Sequence, residues 1–263
     1  MTTFLSFNLR DKKINAYDTD NPITNLFKQN IFWDHDNYSI FQKYRRPNTN
    51  FIDAGGYIGT QSILMDEIMK SENEKNKIYT FEPLHHEVLE MNIIDNNLQE
   101  AVTLFKVGLG SKKCKINVWN KDAGFIVGQP GQSLVVINET VQDITQFISK
   151  AENENGDIQI ETLDSYNLVN IGFIKLDCEG MELDILNGAK NTIINNNFPP
   201  LFIEIWKQEG WRENIEYYKN YKDLIRTFLI DLGYFYEERL NYYDHIFLNK
   251  EDFSRIKDNE SNN

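Results

Sequence analysis

Positive charge is in short supply. The 263 residues carry 27 Lys and Arg against 40 Asp and Glu, a net of −13, which sets the chain's own field against a phosphate backbone or an anionic bilayer. Neither a nucleic-acid nor a membrane partner is expected. Cysteine is scarcer still: Cys114 and Cys178 are the only two, and they form neither a disulfide ladder nor a zinc spacing, so a reducing, cytoplasmic compartment is expected. Also missing is any apolar run of about 18 residues. The start MTTFLSFNLRDKK has no basic flank followed by an apolar stretch, so no secretory leader is expected. No internal repeat is visible, and nothing in the residues sets an oligomeric state. What is present is length for one large α/β domain, with 41% hydrophobic residues to build its core.

Three regions separate along the chain. Residues 1–49 scatter Phe27, Phe32, Trp33, Tyr38, Phe41 and Tyr44 ahead of Arg45-Arg46-Pro47, which predicts a helical N-terminal cap with an aromatic face to bury. Residues 50–249 alternate strand and helix patterns, the mark of a mainly parallel sheet covered on both faces. The strands are expected at Asn50–Asp53, Lys77–Phe81, Val102–Val107, Phe173–Asp177 and Leu201–Ile205, with helices over Gly59–Lys70, from Met181 past Ile193, and over Leu224–Leu232. Gly233–Tyr236 and His245–Leu248 are expected to close the domain as an antiparallel hairpin. Residues 119–160 interrupt the alternation with GFIVGQPGQS, LVVI and ENENGD, and specificity loops are expected there. The charged stretch 250–263 reads as a frayed polar tail.

The stretch FIDAGGYIGTQS, Phe51–Ser62, runs a strand into a glycine turn and then a helix start. Such a turn offers backbone N–H groups, the positive end of a helix and room for a ligand to approach the main chain; it is also the plain way to pack a helix on a sheet. A dinucleotide fingerprint would need glycine at position 54, which is Ala. The pattern is instead Asp53-x-Gly55-x-x-x-Gly59. An acid at the strand tip repels a pyrophosphate and suits a cationic ligand. Glu82, closing IYTFE about 20 residues further on, stands where a carboxylate accepts both hydroxyls of a ribose. One ribose, one cation and no phosphate describe S-adenosylmethionine. Gly108-Leu109-Gly110 leaves space beside an adenine or makes an ordinary turn.

Strand ends carry further acids: Asp177 and Glu179 in KLDCEGMELDIL, and Glu204 in LFIEIW. Ligands bind at the carboxyl edge of such sheets, so these acids should share a crevice with Asp53 and Glu82. They have the chemistry of a general base, of orienters for substrate hydroxyls, or of divalent-metal ligands, and also of charge-satisfied helix caps. No residue is assigned to a metal, and a divalent-cation requirement is left open. Cys178 has no neighbouring His and reads as a small apolar filler. His245 lies in the closing hairpin, where a structural role competes with catalysis. Trp206, Trp211, Tyr242 and Tyr243 offer either core packing or a platform for a sugar ring. GQPGQS at Gly128–Ser133 lacks the Gly-Lys-Ser/Thr ending of a phosphate loop.

In order and spacing, FIDAGGYIGTQS, FEP at Phe81–Pro83, VGLGS at Val107–Ser111, ETLDSY at Glu161–Tyr166, FIKLDCEGMELDILNGA at Phe173–Ala189 and PLFIEIW at Pro200–Trp206 resemble the FkbM family of S-adenosylmethionine-dependent methyltransferases. The resemblance implies a class I methyltransferase fold: a Rossmann-like α/β architecture with a mainly parallel seven-stranded sheet, a C-terminal antiparallel hairpin and helices on both faces. It implies O-methyl transfer to a hydroxyl of a sugar, glycan or glycosylated small molecule. The cofactor would lie at Asp53, Gly55, Gly56, Tyr57, Gly59, Glu82, Pro83 and Gly108. The reaction crevice would be formed by Asp177, Glu179 and Glu204, with Asp177 the first choice of base, Glu204 the second and His245 the third. The family usually has Ala-Asn where this chain has Gly56-Tyr57. Two rivals stand beside this reading: a nicotinamide-dependent oxidoreductase, which shares the fold and the ribose acid, and a non-catalytic binding module on a methyltransferase scaffold.

Overall fold

A computed structural model describes residues 3–20, 22–116, 119–120, 125–126, 154–207 and 216–261. Phe4–Leu9 (β1) and Lys12–Tyr17 (β2) form a hairpin, followed by helices Pro22–Lys28 (α1) and Asn37–Tyr44 (α2). The helical cap expected over 1–49 therefore holds two helices but begins with a β-hairpin. Arg10 and Asp11 both take positive φ, 49° and 63°, the two-residue turn whose twist matches a hairpin. The hairpin docks on His86–Asp95 (α4), where Asn92 and Asn96, one turn apart, cap the β2 backbone. Asn15 N–H donates to Asn92 Oδ1 at 2.6 Å and Lys13 N–H to Asn96 Oδ1 at 3.0 Å.

The central sheet begins at Asn50–Ala54 (β3) and continues, after helix Thr60–Ser71 (α3), with Ile78–Phe81 (β4) and Val102–Phe105 (β5). The short strands Gly108–Leu109 (β6), Cys114–Ile116 (β7), Trp119–Asn120 (β8) and Phe125–Ile126 (β9) follow. Then come Ile158–Glu161 (β10), Ile171–Leu176 (β11), helices Glu182–Asn187 (α5) and Lys190–Asn195 (α6), and Leu201–Glu204 (β12). Helices Glu216–Lys219 (α7) and Tyr221–Leu232 (α8), strands Tyr236–Arg239 (β13) and Asp244–Leu248 (β14), and helix Lys250–Ser261 (α9) complete the described chain.

The seven-stranded sheet has the order β13-β14-β12-β11-β3-β4-β5. All neighbours from β12 to β5 are parallel, and β14 alone runs against them, between β12 and β13. From β3 the chain winds outward through β4 and β5, then returns to β11 on the other side. That reversal opens a crevice at the carboxyl ends of β3 and β11. Adjacent positions feed opposite faces: Phe51, Phe173 and Phe202 pack against α2, α3, α4 and α9, while Ile52, Ile174 and Ile203 pack against α5, α6 and α8. All six residues of β11 are buried, as a central parallel strand requires.

Two expectations for later elements change. The single helix expected from Met181 past Ile193 is broken at Gly188, the C-cap of α5, a position that must be glycine because a Cβ there would stand 2.0 Å from the Gly110 carbonyl oxygen. Asp164 then caps α6, accepting the N–H groups of Asn191 and Thr192 at 3.0 and 2.7 Å. The tail expected to be frayed is instead helix α9, with Asp252 and Ile256 buried. Most of the insertion 119–160, including GQPGQS, lies outside the described residues, and so does Trp211. Among the described residues no helix is long and apolar enough to cross a membrane.

Candidate active site

A cavity of about 740 Å³ opens at the carboxyl edge of the sheet, over the switch between β3 and β11. Its volume is in the range of small-molecule and cofactor sites. One end is shaped by the glycine turn and by β4. Gly55, at φ +82°, has no alternative in this turn, since a Cβ would meet the Asp177 carbonyl oxygen at 1.8 Å. Tyr57 also takes the left-handed region, φ 47°, and its ring meets His85 edge-on at 4.9 Å. His85 Nδ1 in turn stands 3.0 Å from the Tyr17 hydroxyl, so the hairpin reaches the turn through two aromatic contacts. Burial presses His85 down to about 4, so the ring is neutral at pH 7.

Glu82 closes β4, 4% exposed, and lines the cavity. Tyr57 N–H donates to its Oε2 at 2.8 Å, and Leu84 and His85 N–H to its Oε1 at 2.7 and 2.9 Å. Burial raises this carboxyl, with the three amides working against it. Each carboxylate oxygen accepts two hydrogen bonds, so Oε2 keeps capacity for a further donor. Facing it is an apolar wall from β6, β7 and β10, with Leu109, Ile116, Ile158 and Ile160. Gly108 belongs to that wall, packed against Ile160.

The other end is acidic. Asp34, Asp177, Glu179, Glu204 and Asp244 line it, with Trp33, Asn37, Tyr242 and Tyr243. Burial first, then Asp177, lifts Asp34 to about 7. Burial likewise lifts Asp244 to about 6, with Asp177 adding to it. Glu204 goes well above the carboxylate range through burial and the nearby Asp177, Glu182 and Glu179, although Trp206 Nε1–H donates to its Oε2. The turn carrying Asp177–Gly180 is held from below by the buried Glu182, which accepts Cys178 N–H at 2.8 Å and the Tyr221 hydroxyl at 2.6 Å. Burial leads the rise of the Cys178 thiol, which leaves no thiolate for nucleophilic chemistry.

Residues 53–236 match the Methyltransferase FkbM domain. The chain belongs to the FkbM methyltransferase family. The FkbM chain is also similar to the methyltransferase sdnD of Sordaria araneosa, 25% identical over 219 residues that cover 73% of this chain and 78% of that one. Among solved structures it is similar to a methyltransferase FkbM from Methylobacillus flagellatus KT (14% identity, TM-score 0.48), over 80% of this chain and half the length of that one. It is similar as well to the SAH-bound methyltransferase PaMTH1 of Podospora anserina (8% identity, TM-score 0.44), over 81% and 76% of the two chains. The mainly parallel seven-stranded sheet with its antiparallel β14 is the α/β architecture expected from the sequence, and membership of the FkbM family displaces the nicotinamide reading of the turn.

Of the cofactor residues expected in this FkbM chain, Gly55, Gly56, Tyr57, Glu82, Pro83 and Gly108 line the cavity. Asp53 and Gly59 do not. Asp53, expected to face a ligand's cation, is fully buried and already has one: Lys175 Nζ stands 3.2 Å from its Oδ1, and the Ser62 hydroxyl donates to Oδ2 at 2.6 Å. Gly59 is the left-handed N-cap of α3. Asp177, Glu179 and Glu204 line the cavity together, and His245 does not. His245 is fully buried in β14 with its Nδ1 2.7 Å from Glu237 Oε1, while burial lowers it to about 4. Its place as third choice of base is corrected on that ground. Trp206 is 4% exposed, rings 5.7 Å from Tyr218, and serves Glu204 rather than a sugar platform. No group of three or more His, Cys, Asp or Glu among the described residues could hold a metal ion.

Sequence reasoning missed Asp34, Gln61, Lys175 and Asp244. Asp34, from the loop before α2, and Asp244, at the start of β14, come from opposite ends of the chain, and no local pattern marks them. Lys175 did carry a signal, because a lysine inside an otherwise apolar parallel strand must find a buried counter-charge. The register supplies it, pairing Lys175 with Asp53 across β11 and β3.

Proposed function

We propose that the cavity is the active site of an S-adenosylmethionine-dependent O-methyltransferase whose acceptor is a hydroxyl of a sugar, glycan or glycosylated small molecule. The observation that carries this reading is the two-ended cavity. A strand-end carboxylate with spare acceptor capacity and an apolar wall stand at one end, and a group of carboxylates with aromatic neighbours at the other. The donor set suits this cofactor: Lys175, the one cation among the described lining residues, is 2% exposed and engaged with Asp53, so a pyrophosphate would gain little from it. Glu82 would hold the ribose, Leu109, Ile116, Ile158 and Ile160 the adenine, and the Gly55–Tyr57 turn the amino-acid end.

Bound there, S-adenosylmethionine supplies a methyl group on a sulfonium centre, an electrophile for an acceptor oxygen. The chain's own share is to align that oxygen and remove its proton. Asp177 is the residue assigned to the proton, and Trp33, Tyr242 and Tyr243 offer faces for a sugar ring. Glu204, whose carboxyl burial and the neighbouring acids push well above the carboxylate range, is better suited to donate a hydrogen bond than to accept a proton. Asn at position 177 should cut turnover by roughly 10²–10⁴ with cofactor binding kept.

A labelled-methyl screen against glycans and free sugars, with mapping of the methylated atom, tests the reading. Label in an unmodified protein or nucleic acid with none in any glycan overturns the acceptor class. A chain that binds no S-adenosyl ligand by calorimetry revives the non-catalytic module, and a thermal shift with NAD in place of S-adenosylhomocysteine would contradict the cofactor.

A further inference from the structure

We propose that the acceptor carries an ammonium group beside the hydroxyl that is methylated, and that Asp34 and Asp244 receive it as specificity-determining residues of the cavity. The two carboxylates are held alike, although they come from opposite ends of the chain. Gln61 Nε2 donates to Asp34 Oδ2 at 2.8 Å, and Asn241 Nδ2 to Asp244 Oδ2 at 2.5 Å. Each is therefore pinned through one oxygen by a side-chain amide, and no described protein group donates to the other oxygen, Oδ1. The backbone fixes both as well. Asp34 stands in the left-handed region at φ 55°, and its carbonyl oxygen accepts Asn37 N–H at 2.9 Å at the start of α2. Asp244 N–H donates to Asn241 Oδ1 at 2.8 Å, and its carbonyl oxygen accepts Leu240 N–H at 2.9 Å. Two lining carboxylates, each fixed in advance and open on one oxygen, are preorganised for a donor.

A positively charged donor is what this end lacks. Gln61 turns its amide nitrogen to Asp34 and leaves Oε1 without a donor, although the residue is 5% exposed and lines the cavity. A buried acceptor of that kind needs a partner. With Asp34 Oδ1 and Asp244 Oδ1 it makes a group of acceptors, and a primary ammonium is all donor, with three N–H groups and no lone pair. A hydroxyl fits less well, since it brings lone pairs that need donors of their own. Burial lifts Asp34 to about 7 and Asp244 to about 6, with neighbouring acids adding to both, and an arriving cation opposes each of these effects. The protein's own cations are engaged elsewhere. Lys175 serves Asp53 and the Gly55 carbonyl oxygen, while Lys207 and Arg239 stand over the Tyr242 ring, 3.2 and 5.3 Å from its centroid, and do not line the cavity. Held as ammonium, the acceptor's nitrogen has no lone pair to compete for a methyl group, which leaves the neighbouring hydroxyl oxygen as the nucleophile.

This inference deepens the sugar-acceptor reading of the cavity and rests on it, and its test is a binding measurement. The full chain, saturated with S-adenosylhomocysteine, is titrated by calorimetry with matched methyl hexopyranosides that carry an amine, a hydroxyl or an acetamide at each ring position in turn. At least one amine is expected to bind about tenfold or more tightly than both its hydroxyl and its acetamide counterpart. Asp34→Asn and Asp244→Asn keep the shape of each side chain and remove its charge. Each is expected to cut the preference to about threefold or less, with S-adenosylhomocysteine affinity kept. Amines that bind no better than their counterparts anywhere in the series, or a preference that survives in either folded variant, overturn the proposal and leave the methyl-transfer reading in place. A parent chain that fails to bind S-adenosylhomocysteine overturns that reading instead, and the same series run without it still decides whether Asp34 and Asp244 select a cation.

Discussion

At Gly55 the turn has no room for a side chain. A Cβ would meet the Asp177 carbonyl oxygen at 1.8 Å with φ at +82°, so Ala there must push the turn off β11. Gly55→Ala is expected to cost roughly 2–4 kcal/mol of stability and to weaken S-adenosylhomocysteine binding at least tenfold, read by urea unfolding and calorimetry. His85 gives a second residue-scale test. Its folded value of about 4 lies below the ordinary 6.5, so between these pH values the unfolded chain binds the proton first. Its contribution is full above pH 6.5 and is lost as pH falls toward 4, by about 3 kcal/mol over the window. His85→Gln should remove that slope relative to the parent when unfolding is followed from pH 7 to 4.5. His245, also near 4, keeps its own slope in both proteins. The glycine turn and the acid after β4 were legible because spacing ties Gly55 and Glu82 to one edge, whereas Asp53 and Gly59 in the same pattern lie off the cavity. The partner of Asp53 was not legible, since its cation comes from a strand far along the chain.

Helix α9 shows what composition hides at the scale of an element. Lys250–Ser261 is mostly charged, and its polar count suggested fraying, yet Ile256 and Phe253 face the core on one side. Asp252 anchors the helix: Arg46 Nη2 donates to its Oδ2 at 2.7 Å and Arg255 Nη2 to its Oδ1 at 3.0 Å. Its own N–H is taken by Asn249 Oδ1 at 2.8 Å, a side-chain cap at the start of the helix. Asp252→Ala should cost roughly 2–4 kcal/mol, because it leaves the half-buried Arg46 with only the carbonyls of Asn196, Asn197 and Phe198. A urea midpoint unchanged from the parent would show the pair to be idle. The hairpin β1–β2 was illegible for a related reason: Arg10-Asp11 is not among the usual hairpin-turn pairs, and its strands gain their partner only when α4 presents Asn92 and Asn96.

At the scale of the molecule, the alternation of strand and helix gave the parallel sheet and its closing hairpin, and the switch between β3 and β11 placed the cavity. Five described carboxylates gather at one end of that cavity from segments separated by most of the chain, and the only described lining cation is shared with a buried aspartate. The chain's net charge of −13 adds to the same field. Glu204 is pushed toward its neutral form, but Asp34 and Asp244, lifted only to about 7 and about 6, stay partly ionised near neutral pH, so such an end repels anions, and in a narrow, poorly hydrated space the repulsion is stronger than the same charges would exert in bulk water. Among acceptors that differ only in charge, a phosphorylated or uronic sugar should therefore show a kcat/KM at least tenfold below that of its neutral counterpart, and an amine-bearing analogue should equal or exceed the neutral one. Raising salt from about 0.05 to 0.5 M should narrow the gap for the anionic acceptor by weakening the long-range part of the field. Equal kcat/KM for anionic and neutral acceptors at low salt would mean that the acids are neutralised before substrate arrives, and that shape alone selects the acceptor.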